Sequence, residues 1–95
     1  MIVENINELT DDELVKKITK SNNTIYFGHL YDRYETKVYN KCYSFVHNVD
    51  EAKDLTQDVF LQVFIKLKTF SFKSKFSTWL YSVTYNFCVN YLNSR

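Results

Sequence analysis

Between Phe72 and Asn86 the chain sets cations beside flat rings. Phe72, Lys73, Ser74, Lys75 and Phe76 alternate in one short stretch, and Thr78, Trp79, Tyr81, Tyr85 and Asn86 follow it. Ammonium groups can track phosphates while rings stack on, or wall in, an unpaired base, so the wider acid-free stretch from Val59 to Arg95, to which these residues belong, suits single-stranded nucleic acid. Asn86 carries both a donor and an acceptor, as reading a base edge requires. The surrounding charge agrees. From Val59 to Arg95 the charged residues are Lys66, Lys68, Lys73, Lys75 and Arg95, with no Asp or Glu, and ten of the 17 aromatics lie there. Residues 1–58 hold seven basic residues against eleven acidic ones, so a near-neutral total conceals −4 joined to +5. The competing reading of the same residues is structural: the rings fill a core and the lysines solvate a surface.

Nothing in the sequence assembles a catalytic centre. His29 and His47 have no carboxylate or cysteine at a spacing that fixes a metal or a nucleophile, and Cys42 and Cys88 form no paired motif of a zinc or redox site. No enzyme, metal or cofactor is expected, and the two thiols are read as reduced and part-buried.

A second, different patch lies upstream. Asp54, Gln57, Asp58, Leu61 and Gln62 recur so as to share one side of a helix, and they combine acids and amides with one apolar residue. Such a patch can be a plain solvated face or a surface that meets a basic partner.

The elements that must position these residues are helices. Ninety-five residues make one domain, residues 1–95, with Met1 to Leu9 expected as a flexible leader. There is no proline, Gly28 is the only glycine, and alternating patterns are scarce, so an all-α, compact bundle of about four helices is predicted. No apolar run reaches the roughly 18 residues of a membrane span. The N-terminus, with Glu4, Asn5, Asn7 and Glu8, lacks the form of a secretory signal, so a soluble, cytoplasmic protein is expected.

Thr10 and Glu13 form a capping-box pattern opening a short first helix, whose stripe Leu14, Val15 and Ile18 is expected to pack at the surface. A long second helix runs from Thr24 to about His47 on Phe27, Leu30, Tyr31, Tyr34, Val38, Cys42, Phe45 and Val46. Its other side, with Asp32, Arg33, Glu35, Lys37 and Lys41, reads as a solvated face without function. Asn48 or Asp50 caps a third helix, in which Leu55, Val59, Phe60, Val63, Phe64 and Leu67 are buried. After a loop from Thr69 to Lys75, Ser77 is expected to cap a fourth helix. There Leu80, Val83, Thr84, Phe87, Cys88 and Tyr91 face inward, while Tyr81, Ser82, Tyr85, Asn86 and Val89 lie on or beside the opposite flank.

Two linked motifs on these helices resemble the second conserved domain, region 2, of bacterial RNA polymerase sigma factors of the extracytoplasmic-function group. Ala52-Lys53-Asp54-Leu55-Thr56-Gln57-Asp58-Val59-Phe60-Leu61 is similar to that group's polymerase-binding helix. Phe70 to Lys75, then Phe76-Ser77-Thr78-Trp79-Leu80 and Asn86, is similar to its promoter-reading loop and helix. The opening Asp11 to Ile18 and the Leu30, Tyr31, Tyr34 pattern also fit, so the resemblance covers nearly the whole chain from about Thr10. It implies a sigma-factor region 2 fold and docking on the clamp helices of the largest catalytic subunit of the polymerase core through Asp54, Gln57, Asp58 and Leu61. It also implies binding of the melted non-template strand of the minus-ten promoter element. For that role the matching positions are Phe72, Lys73, Ser74, Lys75, Phe76, Thr78, Trp79, Tyr81, Tyr85 and Asn86; Phe76, Trp79 and Leu80 equally fit a structural role as anchors of the loop, the reading favoured for Leu80. An anti-sigma factor is a further implied partner; no cofactor or membrane is.

Three positions depart from the family pattern: Lys53 stands where an acid is frequent, Asn90 where aspartate is, and Asn93 where arginine is. The neutral Asn93 weakens the implied contact with duplex phosphates. Members of the group continue into a helix-turn-helix domain that reads the minus-thirty-five element, whereas this sequence stops at Arg95; alone, it is expected to hold duplex promoter weakly. Two functions remain in competition: a promoter-recognition domain using both surfaces, and a sigma-like interaction module, a decoy or anti-sigma target, using only the acidic one.

Overall fold

The computed structural model describes residues 5–95, all-helical apart from turns and one loop. Helix α1 spans Asp11–Ser21, α2 Thr24–Val46, α3 Val49–Lys66 and α4 Phe76–Asn93. Single 3-10 turns occupy Ile6–Glu8 and Leu67–Thr69.

Local chemistry sets each boundary. The Thr10 hydroxyl accepts from the Glu13 amide at 3.1 Å while the Glu13 carboxylate accepts from the Thr10 amide at 3.0 Å, the reciprocal capping box. These bonds to Thr10 hold the Glu13 carboxyl below its ordinary value. The α1–α2 and α2–α3 turns share one design. Asn22 and His47 each end a helix in the left-handed region at φ 52°, and Asn23 and Asn48 then cap the next helix with a side-chain oxygen. Such two-residue turns bring consecutive helices back antiparallel.

The core forms where the apolar stripes meet. Leu30, Val38, Cys42 and Val46 of α2 pack on Ala52, Leu55, Val59 and Val63 of α3, and on Phe76, Leu80 and Cys88 of α4. Tyr31 packs against Phe60 with tilted rings 4.4 Å apart, and Tyr34 meets Phe76 edge-on at 5.6 Å. The buried Thr56 and Thr84 return their hydroxyls to the carbonyls one turn back, at 2.7 and 2.8 Å, and among the described residues no buried side-chain nitrogen or oxygen lacks a partner.

Several expectations need correction. Helix α1 is no surface appendage: Leu14 and Val15 are 0% exposed because α2 and the Leu67–Thr69 turn close over its stripe. The N-terminal segment meets the bundle from Asn5 onward. Leu9 is buried, Ile6 packs on the core, and Arg33 donates to the Ile6 carbonyl at 3.2 Å; residues 1–4 lie outside the described residues. Phe64 is exposed rather than buried, since α1 covers only part of that turn and Phe27 touches the ring at its edge, 5.0 Å away. Helix α4 starts at Phe76, one residue before the expected cap at Ser77, with Lys75 as an N-cap residue that makes no side-chain bond.

Arg33 and Tyr34 tie the N-terminal segment to α2. The guanidinium pairs with the Asp11 carboxylate at 3.0 Å, and the Tyr34 hydroxyl donates to the same carboxylate. Burial first, and then that bond, push Tyr34 up to about 12. Burial also raises Tyr31, and the bond to Glu51 raises Tyr91.

Two outcomes follow from this packing. Phe76→Ala should lower the unfolding free energy by about 3–5 kcal/mol in urea titrations, and a variant as stable as the parent would remove Phe76 from the core. Because Tyr34 ionises later in the folded chain than in the unfolded one, its contribution is complete below about pH 10 and is lost as pH rises toward about 12. Melting curves across that window should fall less steeply for Tyr34→Phe; superimposable pH profiles would count against the assignment.

Candidate nucleic-acid interface and protein-binding face

Helix α4 has one inward stripe, Phe76, Leu80, Thr84 and Cys88, and this fixes the direction of every other side chain on it. Tyr81 and Tyr85, 55% and 48% exposed, fall on the flank toward α2. An open groove of about 740 Å³ runs there between the two helices. Val38, Leu80 and Thr84 line it, with Ser77, Thr78 and Tyr81 contributed by α4 and Lys37, Asn40 and Lys41 by α2. The Lys41 ammonium sits 4.8 Å from the Tyr81 ring centre, 5.7 Å from Phe45 and 5.9 Å from Tyr85. Lys37 lies 5.8 Å from the Tyr34 ring at the same groove. A cation held over rings in this way neutralises a phosphate and leaves aromatic faces for a base.

The α2 lysines are the residues that sequence reasoning missed. Lys37 and Lys41 belong to the face assigned to solvent, and their only signal was the four-residue interval that places both beside Val38 and Cys42 of the buried stripe. Their meeting with Tyr81 is a tertiary event.

The loop between the Leu67–Thr69 turn and α4 is anchored by rings. Phe70, buried, packs against Phe72 at 4.7 Å, Trp79 at 5.4 Å and Phe76 at 5.9 Å. Phe72 adopts φ 61°, an unusual left-handed conformation for a bulky residue, and its exposed ring lies 5.2 Å from the Lys16 ammonium of α1. Lys73, Ser74 and Lys75 are all exposed. Directly after them α4 begins with no side chain capping its first amides, which leaves the positive end of the helix open beside the loop cations.

Not every predicted nucleic-acid residue shares the groove. Thr78 and Tyr81 line it and Tyr85 adjoins it through Lys41. Phe72, Lys73, Ser74 and Lys75 form a separate exposed edge at the head of α4, with Trp79 half-buried below it. Asn86 opens on the other flank, in a cleft of about 540 Å³ with Gln62, Lys66 and Asn90. Phe76 is corrected: at 2% exposure it supports the loop from inside and offers no surface to a base. Arg95 is also withdrawn from the free cations, since its guanidinium bonds both Glu51 carboxylate oxygens at 2.7 Å, with the Tyr91 hydroxyl donating to Glu51 at 3.0 Å.

Four residues of the second patch, Asp54, Gln57, Asp58 and Leu61, are exposed on α3, whereas the fifth, Gln62, lines the Asn86 cleft. Ala52, Leu55, Val59 and Val63 are 0–2% exposed, so Asp54, Gln57 and Asp58 point outward and Leu61 is 57% exposed. The apolar surface continues into Phe64 and Ile65, the latter 60% exposed, which gives the acidic patch a larger hydrophobic end than the sequence indicated. Among the described residues, no group of three or more His, Cys, Asp or Glu gathers as a metal site, and no helix is long and apolar enough to cross a membrane.

Comparison with known proteins gives the family. The family model described as Sigma-70 region 2 matches residues 30–95. The ECF RNA polymerase sigma factor SigW of Bacillus subtilis is 30% identical over 88 residues, 93% of this chain and 46% of that protein. The RNA polymerase sigma-H factor of Pseudomonas aeruginosa is 32% identical and the ECF RNA polymerase sigma-E factor of Escherichia coli K12 34%, each over 90% of this chain. The chain thus spans less than half the length of these relatives. With α3, α4 and α2 from Leu30 onward inside the matched residues, which make up more than half of the chain, the chain belongs to the sigma-70 region 2 family.

Proposed function

We propose that this chain is the part of a transcription initiation factor that joins RNA polymerase core to the melted minus-ten element. The observation that carries the proposal is the groove between α2 and α4, where Lys37 and Lys41 rise beside Tyr81 and Thr78. Phosphates of the non-template strand run along the α2 lysines and the Lys73–Lys75 edge, and exposed bases lie against Tyr81, Tyr85 and the Trp79–Phe72 edge. Asn86 reads a base edge on the far flank of α4, so the strand, or the duplex from which it emerges, crosses that helix rather than lying in one trough.

Helix α3 binds the clamp helices of the largest catalytic subunit. Asp54, Gln57 and Asp58 orient a basic helical partner, and Leu61, extended by Phe64 and Ile65, supplies the apolar centre. An anti-sigma factor would compete for the same face. A second reading, an interaction module without useful DNA recognition, draws on one observation: Asn86 and the loop lysines open on different sides from the groove, whereas the α3 face is continuous.

Titrations with short single strands at two salt concentrations separate these readings. Lys37→Ala with Lys41→Ala should weaken binding on every sequence and reduce the slope of log K against log salt by about 1.4, whereas Asn86→Ala should mainly relax base preference. Uniform losses from all three substitutions would remove base reading from Asn86, and tight binding to a clamp-helix fragment without strand binding would establish the interaction module. On the other face, Asp58→Lys should weaken fragment binding tenfold or more, roughly 1.4 kcal/mol or above, with an unchanged melting temperature. A variant that melts early would show the side chain to be structural.

A further inference from the structure

Cys42 of α2 and Cys88 of α4 are both 0% exposed, and their sulfurs lie 3.7 Å apart although 46 positions separate them in the chain. Neither thiol takes part in the groove or the acidic face. The Cys88 thiol donates to the Cys42 sulfur, so the pair is already oriented sulfur to sulfur across the α2–α4 contact. That bond, aided by the Thr56 hydroxyl and against burial, holds Cys42 below the ordinary thiol value, while the same bond and burial push Cys88 up. At this separation either thiol, once oxidised, has the other within reach as its resolving partner.

We propose that Cys42 and Cys88 are an oxidative modification site, at which a hydroperoxide converts the buried dithiol into a disulfide joining α2 to α4. The Cys42 thiolate attacks one peroxide oxygen, the O–O bond breaks, and Cys42 becomes a sulfenic acid as the first water leaves. The Cys88 sulfur then attacks the Cys42 sulfur, the S–O bond breaks, and the Cys88 proton departs with that oxygen as the second water. In sum, two thiols and one hydrogen peroxide give one disulfide and two waters; the sulfurs lose two electrons and the peroxide gains them. Neither sulfur has surface, so the oxidant enters only when the helices part, and the reaction is slower than at an exposed thiol.

The site also bears on the groove. Val38 and Thr84 stand four residues before Cys42 and Cys88 on their helices, and both line the groove. A sulfur–sulfur bond is about 2.05 Å long. Closing the present gap of 3.7 Å therefore draws α2 toward α4 one turn from the groove lining, and narrows the space between Lys41 and Tyr81. This consequence rests on the groove being the single-strand site; the cross-link itself does not.

The test treats the whole folded chain with hydrogen peroxide, alkylates it under denaturing conditions, and reads intact mass, linked peptides and melting temperature. Expected are a mass about 2 Da lower, a Cys42–Cys88 linked peptide, a melting temperature higher by about 10 °C, and reversal of all three by dithiothreitol. Cys88→Ser should give neither the linked peptide nor the shift. The linkage map of the unsubstituted chain decides the matter even if that variant unfolds. Recovery of two free thiols, or cross-links only between chains, overturns the site. For the groove, single-strand affinity should fall about tenfold on oxidation and return on reduction. Unchanged affinity in cross-linked protein overturns control of the groove, whereas a reduced chain that binds no strand overturns the reading of the groove while the linkage map still decides the cysteines.

Discussion

The near-complete burial of Ala52, Leu55, Val59 and Val63 fixes the rotation of α3 about its axis, and most of the molecule's surface chemistry follows from that. A helix whose stripe is sealed on one side has no freedom over what it shows on the other. Asp54, Gln57 and Asp58 face outward because Leu55, Thr56 and Val59 cannot. The same stripe receives α2, and α2 in turn sets the wall against which α4 is laid. Large-to-small changes along the α3 stripe would therefore disturb both faces at once, by the cavity and repacking costs usual for cores.

Helix α4 has few polar resources. Its inward side chains complete the core, and it carries no acidic or basic side chain between Phe76 and Asn93, so its exposed surface consists of hydroxyls, amides and rings. Positive charge beside it comes from neighbours: Lys37 and Lys41 from α2, Lys73 and Lys75 from the loop, Lys66 from α3. Under the proposed function, this division of labour would let cations meet phosphates from several directions while the rings keep one fixed orientation.

Much of this was legible in the sequence where the governing physics is local. The capping box at Thr10, the Asn48 cap, the reach of α2 to His47, and the outward set on α3 all depend on residues within one or two turns of each other. What failed depended on what lies across the bundle. Phe64 has the spacing of a core residue but no helix covers it fully, and the choice between base contact and loop anchor for Phe76 is made only by Tyr34, Phe70 and Trp79, which enclose it. Lys41 reads as solvated until α4 is brought beside it. Cys42 and Cys88 are likewise unrelated until two helices distant in sequence are packed together. Serine at position 77 is a good cap by type, yet the helix starts at Phe76 with Lys75 as its cap, two residues earlier than a Ser77 cap would set it.

The pairs Asn22–Asn23 and His47–Asn48 leave no slack between helices. An added or deleted residue there would displace the following helix's phase by about 100°, swinging buried positions into solvent. Natural variation at these joints should therefore run to side-chain exchange, with glycine welcome at positions 22 and 47, and not to changes in length.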